Sequence, residues 1–247
     1  MKRKALIISL NAEKLSKKEK LILSKKEKPW GVILFKRNLK SFKQVKKLTS
    51  SIRSLTKDPK YPILVDEEGE NVSRLKDLIN HNISAHFFGN LYKHDKDFCL
   101  KLYKAYISAL CKNLKHLGIN INTIPVLDVL RANTNKIIGK RSFGGEKRII
   151  KILGNFTIKN LHLNKVLGVI KHVPGHGSSI FDSHKTMPKV NLSLKRLNDI
   201  DFYPFKDSQA KLAMTAHILY SKIDKKNVAT HSKKIIKNII RHKIGFK

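Results

Sequence analysis

The sequence predicts an α/β fold of parallel strands, on two observations. Short apolar, β-branched runs recur at 5–10, 31–35, 62–66, 119–127, 166–171 and 212–218, which is the signature of strands. Between them lie segments with apolar residues at three- and four-residue spacing, and strand alternating with helix implies parallel strands joined by right-handed crossovers. The pattern suits either an open doubly wound sheet or a (β/α) barrel, and 247 residues with 41% apolar content can bury a core of either kind. No GxGxxG follows any strand, so dinucleotide binding loses support.

Taken in order, the first run, Ala5 to Leu10, follows Lys2, Arg3 and Lys4. It ends after six residues at Asn11 without a small-residue cleavage site, and so reads as a first strand rather than a secretory leader. The Lys-rich stretch from Lys14 to Lys28 keeps Leu15, Ile22 and Leu23 on helical spacing and predicts a solvated helix. Phe42, Val45, Leu48, Ile52 and Leu55 predict a second helix, and Tyr103, Tyr106, Ile107, Leu110, Leu114 and Leu117 another. A last helix begins with Ser232 as N-cap and runs through Ile235, Ile236, Ile239 and Ile240 to a stop at Gly245. A strand is expected next, but the sequence reaches Lys247. The apolar runs fall well short of the ~20 residues that cross a bilayer, so no transmembrane helix is expected. Cys99 and Cys111 lie in one helical pattern without CxxC spacing; they suggest neither a disulfide framework nor a metal site, and a reducing cytoplasm is the natural setting.

The formal charge of +34 invites a reading as a binder of nucleic acid or another anionic polymer. The cations are 43 lysines and 9 arginines spread along nearly the whole chain, whereas phosphate and base readers favour clustered patches and arginine forks. The abundance of Lys, Asn and Ile fits A+T codon bias, so no specific nucleic-acid partner is expected.

Polar residues stand where the apolar runs end: Asp66, Asp128, Lys171 with His172, and His217. One such Asp would be explained by turn chemistry; four strand ends point to a site at the carboxyl rim, where barrel enzymes place their chemistry. The sharpest segment is KHVPGHGSSIFDSH at 171–184. Gly175 and Gly177 free the backbone to double back, Asp182 can orient an imidazole, and His184 can give and take protons near neutrality. A metal site from His172, His176 and His184 is the alternative, although the spacing matches no strong metal pattern.

This loop resembles the KHFPGHGxxxxDSH signature of bacterial family-3 β-N-acetylglucosaminidases. Further segments follow in that family's order: GVILFKRN at 31–38, VDEEGENVSRL at 65–75, INTIPVLDV at 121–129, IGKRSFG at 138–144 and MTAHILY at 214–220. The resemblance covers essentially the entire chain and implies a single domain over residues 1–247, a TIM-type (β/α)8 barrel left incomplete with about six of its eight units. It implies a retaining β-N-acetylhexosaminidase that removes terminal β-linked N-acetylglucosamine from peptidoglycan-derived saccharides, with no cofactor or metal. Asp66, Arg74, Arg141, Lys171 and His172 would bind the sugar. His184 would be the general acid/base and Asp182 would orient it.

Three departures qualify this. The family's nucleophilic Asp lies in a pattern like GFxGVxxSDD, which would fall just beyond Lys247. Glu67 stands where the family has Gln, and Glu70 and Asn71 where it has Gly and Arg, so Glu70 is expected to strain a turn built for glycine. An open barrel would also expose strand edges prone to intermolecular pairing. A truncated gene, a barrel completed by another chain and a remnant that binds sugar without turnover are the competing explanations.

Overall fold

The computed structural model describes residues 3–179 and 188–247. All six expected strands are present: β1 (Arg3–Ser9), β2 (Lys28–Leu34), β3 (Ile63–Val65), β4 (Ile121–Asn122), β5 (Leu167–Val173) and, after the short β6 (Lys189–Val190), β7 (Leu212–Thr215). They form one sheet in the order β1-β2-β3-β4-β5-β7, and every pair is parallel. A doubly wound sheet would reverse its strand order at a switch point. This one runs in chain order from edge to edge, which makes it a curled part of a (β/α) barrel.

The helices are α1 (Lys17–Ser24), α2 (Phe42–Thr56), α3 (Ala85–His94), α4 (Lys96–His116), α5 (Lys147–Leu163) and α6 (Leu194–Asp199). Along α2 the apolar spacing does what it implies: Val45, Leu48 and Ile52 are buried, each contributing about 1.5–3 kcal/mol. Strand alternation divides the sheet's two faces. Val32, Leu34, Ile63, Val65 and Ile170 join the main core under the helices. Ile33, Leu64, Ile121, Val169, Leu212 and Met214 form a second cluster on the opposite face.

The lysine-rich helix is shorter than expected. Its start is fixed by a capping box in which Ser16 Oγ accepts from the Glu19 N–H and Glu19 accepts from the Ser16 N–H. It ends at Ser24, because Lys25 already has extended backbone at φ −63° and ψ 153°, and Lys28, the residue before Pro29, is likewise held extended. Lys28 therefore belongs to β2 and is buried, with its Nζ 2.7 Å from the Thr56 carbonyl. The run 119–127 keeps regular strand geometry only at Ile121–Asn122. Beyond Pro125, which has no N–H to donate, it still pairs with β5 through Leu127 N–H to the Lys171 carbonyl.

At the end of the chain, Ser232 caps as expected by accepting from the Ile235 N–H at 3.0 Å. Gly245 stops the helix at φ +82°. The segment Ile235–Lys243 is wound as a π-helix, which the spacing did not signal. A second, two-stranded parallel sheet of β6 and β8 (Leu219–Tyr220) was also not foreseen.

Candidate functional site at the carboxyl ends of the strands

The turn that follows β3 carries Asp66, Glu68 and Arg74, and β5 supplies Lys171 and His172. Thr123 lies directly after β4, Asp128 farther along the same connection, and Arg141 in a short 3-10 turn before α5. Lys171 is the centre. Only 2% exposed, its ammonium lies 2.5 Å from Glu68 Oε1, 2.8 Å from Thr123 Oγ1 and 3.9 Å from Asp66 Oδ1. The Thr123 hydroxyl in turn donates to Asp66 at 2.6 Å.

Glu68 is shared. Arg141 grips its carboxylate with two parallel donors, Nε at 2.7 Å and Nη2 at 2.9 Å, the fork geometry that favours arginine. Arg74 Nη2 reaches Asp66 at 3.4 Å, and its guanidinium stacks over the Phe35 ring. Burial works to raise the Glu68 carboxyl, but the Lys171 charge and then the Arg141 hydrogen bonds hold it below the ordinary value. For Arg141, burial works against the charged form and the Glu68 carboxylate outweighs it, so its pKa is raised.

A second network stands beside the first. Asp128, 0% exposed, accepts from the backbone N–H groups of His172 and His176 and lies 2.7 Å from His172 Nδ1. Burial alone would raise its pKa; the charge and hydrogen bond of His172 lead the group of contacts that lower it instead. An ionised carboxylate only accepts, so Nδ1 carries the proton and Nε2 is left to face another partner. His176, buried, is held below the ordinary histidine value by desolvation.

Glycines let the backbone come this close. A Cβ on Gly177 would sit 1.9 Å from the Val129 carbonyl oxygen. Gly69 takes φ +118° in the acidic turn. The expected strain at Glu70 is absent, because the left-handed position falls on Gly69 and Glu70 is not among the positive-φ residues. Glu70 instead pairs with Lys140 at 2.8 Å near the surface.

Of the residues expected from the sequence, Asp66, Arg74, Arg141 and Lys171 fall into one connected network, and His172 into the neighbouring one. Asp182 and His184 lie outside the described residues. His217 stands apart, with Nδ1 3.4 Å from Thr230 Oγ1. Sequence reasoning missed Glu68, although its place two residues beyond Asp66 in an extended stretch puts both carboxylates on one face. It also missed Thr123, for which the sequence carried no signal. Among the described residues, no three His, Cys, Asp or Glu side chains converge to hold a metal. A groove of about 960 Å³ between α1 and α2, lined by Lys14, Lys20, Lys43 and Lys47 among others, contains none of the site residues.

Comparison with known proteins agrees with this geometry. The Glycosyl hydrolase family 3 N terminal domain matches residues 4–247. A beta-hexosaminidase of Xanthomonas euvesicatoria pv. vesicatoria is 30% identical over 234 residues, covering 91% of this chain and 69% of that protein. Beta-hexosaminidase A of Pseudoalteromonas piscicida is 32% identical over 241 residues, covering 87% of this chain but 39% of its own length. Among solved structures, NagZ from Neisseria gonorrhoeae in complex with N-trifluoroacetyl-D-glucosamine superposes with a TM-score of 0.91 at 29% identity, covering all of this chain and 73% of that one. The chain thus spans between 39% and 73% of the length of these relatives. A parallel sheet in barrel order, a charged rim built on its strand ends and a domain match over almost every residue lead to one assignment: the chain belongs to family 3 of the glycosyl hydrolases.

Proposed function

We propose that this chain carries the sugar-binding and proton-transfer part of a β-N-acetylhexosaminidase, acting on terminal β-linked N-acetylglucosamine of peptidoglycan-derived saccharides in the cytoplasm. The observation that carries the reading is the Asp66–Thr123–Lys171–Glu68–Arg141 network. Its buried charges compensate one another and leave polar edges on the rim, which suits a neutral ligand rich in hydroxyl and amide groups. Asp66 and Arg74 would take sugar hydroxyls, Arg141 the face that bears the N-acetyl group, and His172 a further hydroxyl through Nε2. His184 would protonate the glycosidic oxygen and then deprotonate water, with Asp182 orienting the ring and stabilising its charged form.

A retaining hydrolase also needs a carboxylate roughly 5 Å from the acid/base, across the anomeric carbon. Asp66, Glu68 and Asp128 are each committed to cations, a hydroxyl or backbone donors, so none of them is offered for attack. These 247 residues by themselves would therefore bind the sugar and turn it over poorly. Two measurements test the reading. Titration with N-acetylglucosamine should show saturable binding that is lost in Arg141→Ala and Lys171→Ala; unchanged binding in both counts against it. Hydrolysis of an aryl β-N-acetylglucosaminide should run at least about three orders of magnitude below that of a full-length relative. Robust turnover abolished by His184→Ala would overturn the second part and leave the first standing.

A further inference from the structure

Three carboxylates stand in a row after β3, and the middle one has a different set of partners. Asp66 and Glu68 face the rim network, while Glu67 turns the other way and is 0% exposed. Its Oε2 accepts the Leu75 N–H at 2.7 Å, and its Oε1 lies 2.5 Å from His81 Nε2. The other imidazole nitrogen, Nδ1, lies 2.9 Å from the hydroxyl of Tyr106 on α4. Among the described residues, the titratable groups in contact with His81 are Glu67 from the turn and Tyr106 from the helix.

The direction of the bond to Glu67 follows from the chemistry. Burial, reinforced by the Glu67 charge, pushes the Tyr106 hydroxyl well above the ordinary phenol value, so it stays a hydroxyl, able to give a hydrogen bond to Nδ1 or to take one from it. The Glu67 carboxylate can only accept, so Nε2 carries a proton and donates it to Glu67. Tyr106, His81 and Glu67 form one hydrogen-bonded line ending on a carboxylate that can only accept.

That line is fastened to the rim. The Glu67 backbone is clamped to β4, its N–H 3.0 Å from Asn122 Oδ1 and its carbonyl 2.8 Å from Asn122 Nδ2. The Glu68 N–H closes the turn on the Val72 carbonyl at 2.7 Å. The turn also presses against the segment that carries the histidine, since a Cβ on Gly69 would meet the Ile83 carbonyl oxygen at 2.2 Å. Asp66 and Glu68 flank Glu67 in the chain, so whatever fixes Glu67 fixes the separation of the two rim carboxylates. We propose that His81 is a positioning residue for the sugar site: through Glu67, with Tyr106 behind it, it sets the turn that presents Asp66 and Glu68. Its effect on sugar affinity rests on the reading in the preceding subsection; its effect on the turn does not.

The experiment separates the two. Hydrogen exchange on the full chain should show His81→Ala accelerating the amides of Glu68 and Leu75 at least tenfold, with no change at Leu48 on the distant α2. In parallel, N-acetylglucosamine titration should give an affinity about tenfold weaker for His81→Ala. Adding Glu67→Gln should bring the affinity back to within about threefold of the parent, because the double variant no longer buries an underdonated charge. Loss of fold alone would not be reversed at the sugar site by that second change. Should His81→Ala fail to fold, Tyr106→Phe removes only the far hydroxyl and should loosen the same two amides several-fold. Unchanged exchange at Glu68 and Leu75 in the folded variant overturns the proposal, as does unchanged sugar affinity in a chain whose parent binds. If the parent fails to bind N-acetylglucosamine at millimolar concentration, the sugar reading falls, and the exchange rates still decide whether His81 holds the turn.

Discussion

Replacing Glu68 by Gln should damage the fold more than replacing Lys171 by Met, even though Lys171 is the more deeply buried of the two. At 2.5 Å and an effective dielectric near 20, the pair's gross attraction is about 6–7 kcal/mol. Taking both ions out of water offsets most of it, so the net value of the intact pair is small. What counts is the charge left behind. Lys171→Met leaves Glu68 with both Arg141 donors, at 2.7 and 2.9 Å, and keeps an apolar stem in place; the expected cost is about 1–2 kcal/mol. Glu68→Gln leaves two buried cations facing a neutral amide, with Asp66 3.9 Å from the ammonium as the nearest remaining anion. Breaking a buried pair in that way costs about 3–5 kcal/mol, a large part of the 5–15 kcal/mol that holds a domain together. Urea unfolding followed by far-UV circular dichroism measures both. The reverse order, or two costs under about 1 kcal/mol, would refute the role given to Glu68.

Other consequences follow from the same contacts. Folded Glu68 and Asp128 lie below their ordinary values of 4.5 and 3.8, and His176 below 6.5. Each therefore binds protons more weakly folded than unfolded, and its contribution is complete above the ordinary value and lost on acidification through the folded one. Asp201, raised by burial, opposes them. Thermal midpoints should fall as the pH drops below 6.5 and fall further below 4.5, and a midpoint constant from pH 7 to pH 4 would contradict this. Arg141→Lys should weaken N-acetylglucosamine binding by about tenfold, since one ammonium cannot reproduce two parallel donors; isothermal titration would detect it, and an unchanged affinity would remove the fork from the account. Leu6 and Ile7 on the edge strand β1 are 56% and 48% exposed, and such edges template pairing. Light scattering should show concentration-dependent association that Ile7→Lys reduces.

The strands and the long helices were legible because burial of apolar side chains leaves a period, and a period is a local signal. Val45, Leu48 and Ile52 announce α2, and β-branched runs announce β2 and β5. Where a buried group is charged, the signal vanishes. Lys28 reads as solvent-facing until Thr56 supplies an acceptor twenty-eight residues away. Lys171 reads as a rim cation until Glu68, Thr123 and Asp66 arrive from two other strand ends. Glu68 was hidden for the same reason, because its importance lies in its partners and not in its own segment. The two-residue strands β6 and β8 are too short to show alternation. Of the site, the residues proposed to bind came from matched motifs, and the structure added the hydrogen-bond chains that join them.

Carboxylates are scarce here, 18 against 52 lysines and arginines, so their placement says more than that of the cations. Asp66 and Glu68 are met on the rim by Arg74, Lys171 and Arg141, and Asp128 by His172 and two backbone N–H groups, leaving the rim close to neutral within a strongly basic molecule. The surplus positive charge lies elsewhere, on surfaces such as the lysine-lined groove between α1 and α2. The two regions should then answer salt in opposite ways. Polyanions held by surface lysines release counterions, and their binding should fall by orders of magnitude between about 50 and 300 mM salt. A neutral sugar seated on a compensated rim has little long-range field to lose, and at these concentrations screening acts mainly beyond about 6–14 Å. Its affinity should change less than about twofold over the same range. A steep decline in N-acetylglucosamine affinity with salt would mean that the rim carries the same unbalanced charge as the surface, and the compensated network would no longer account for what binds there.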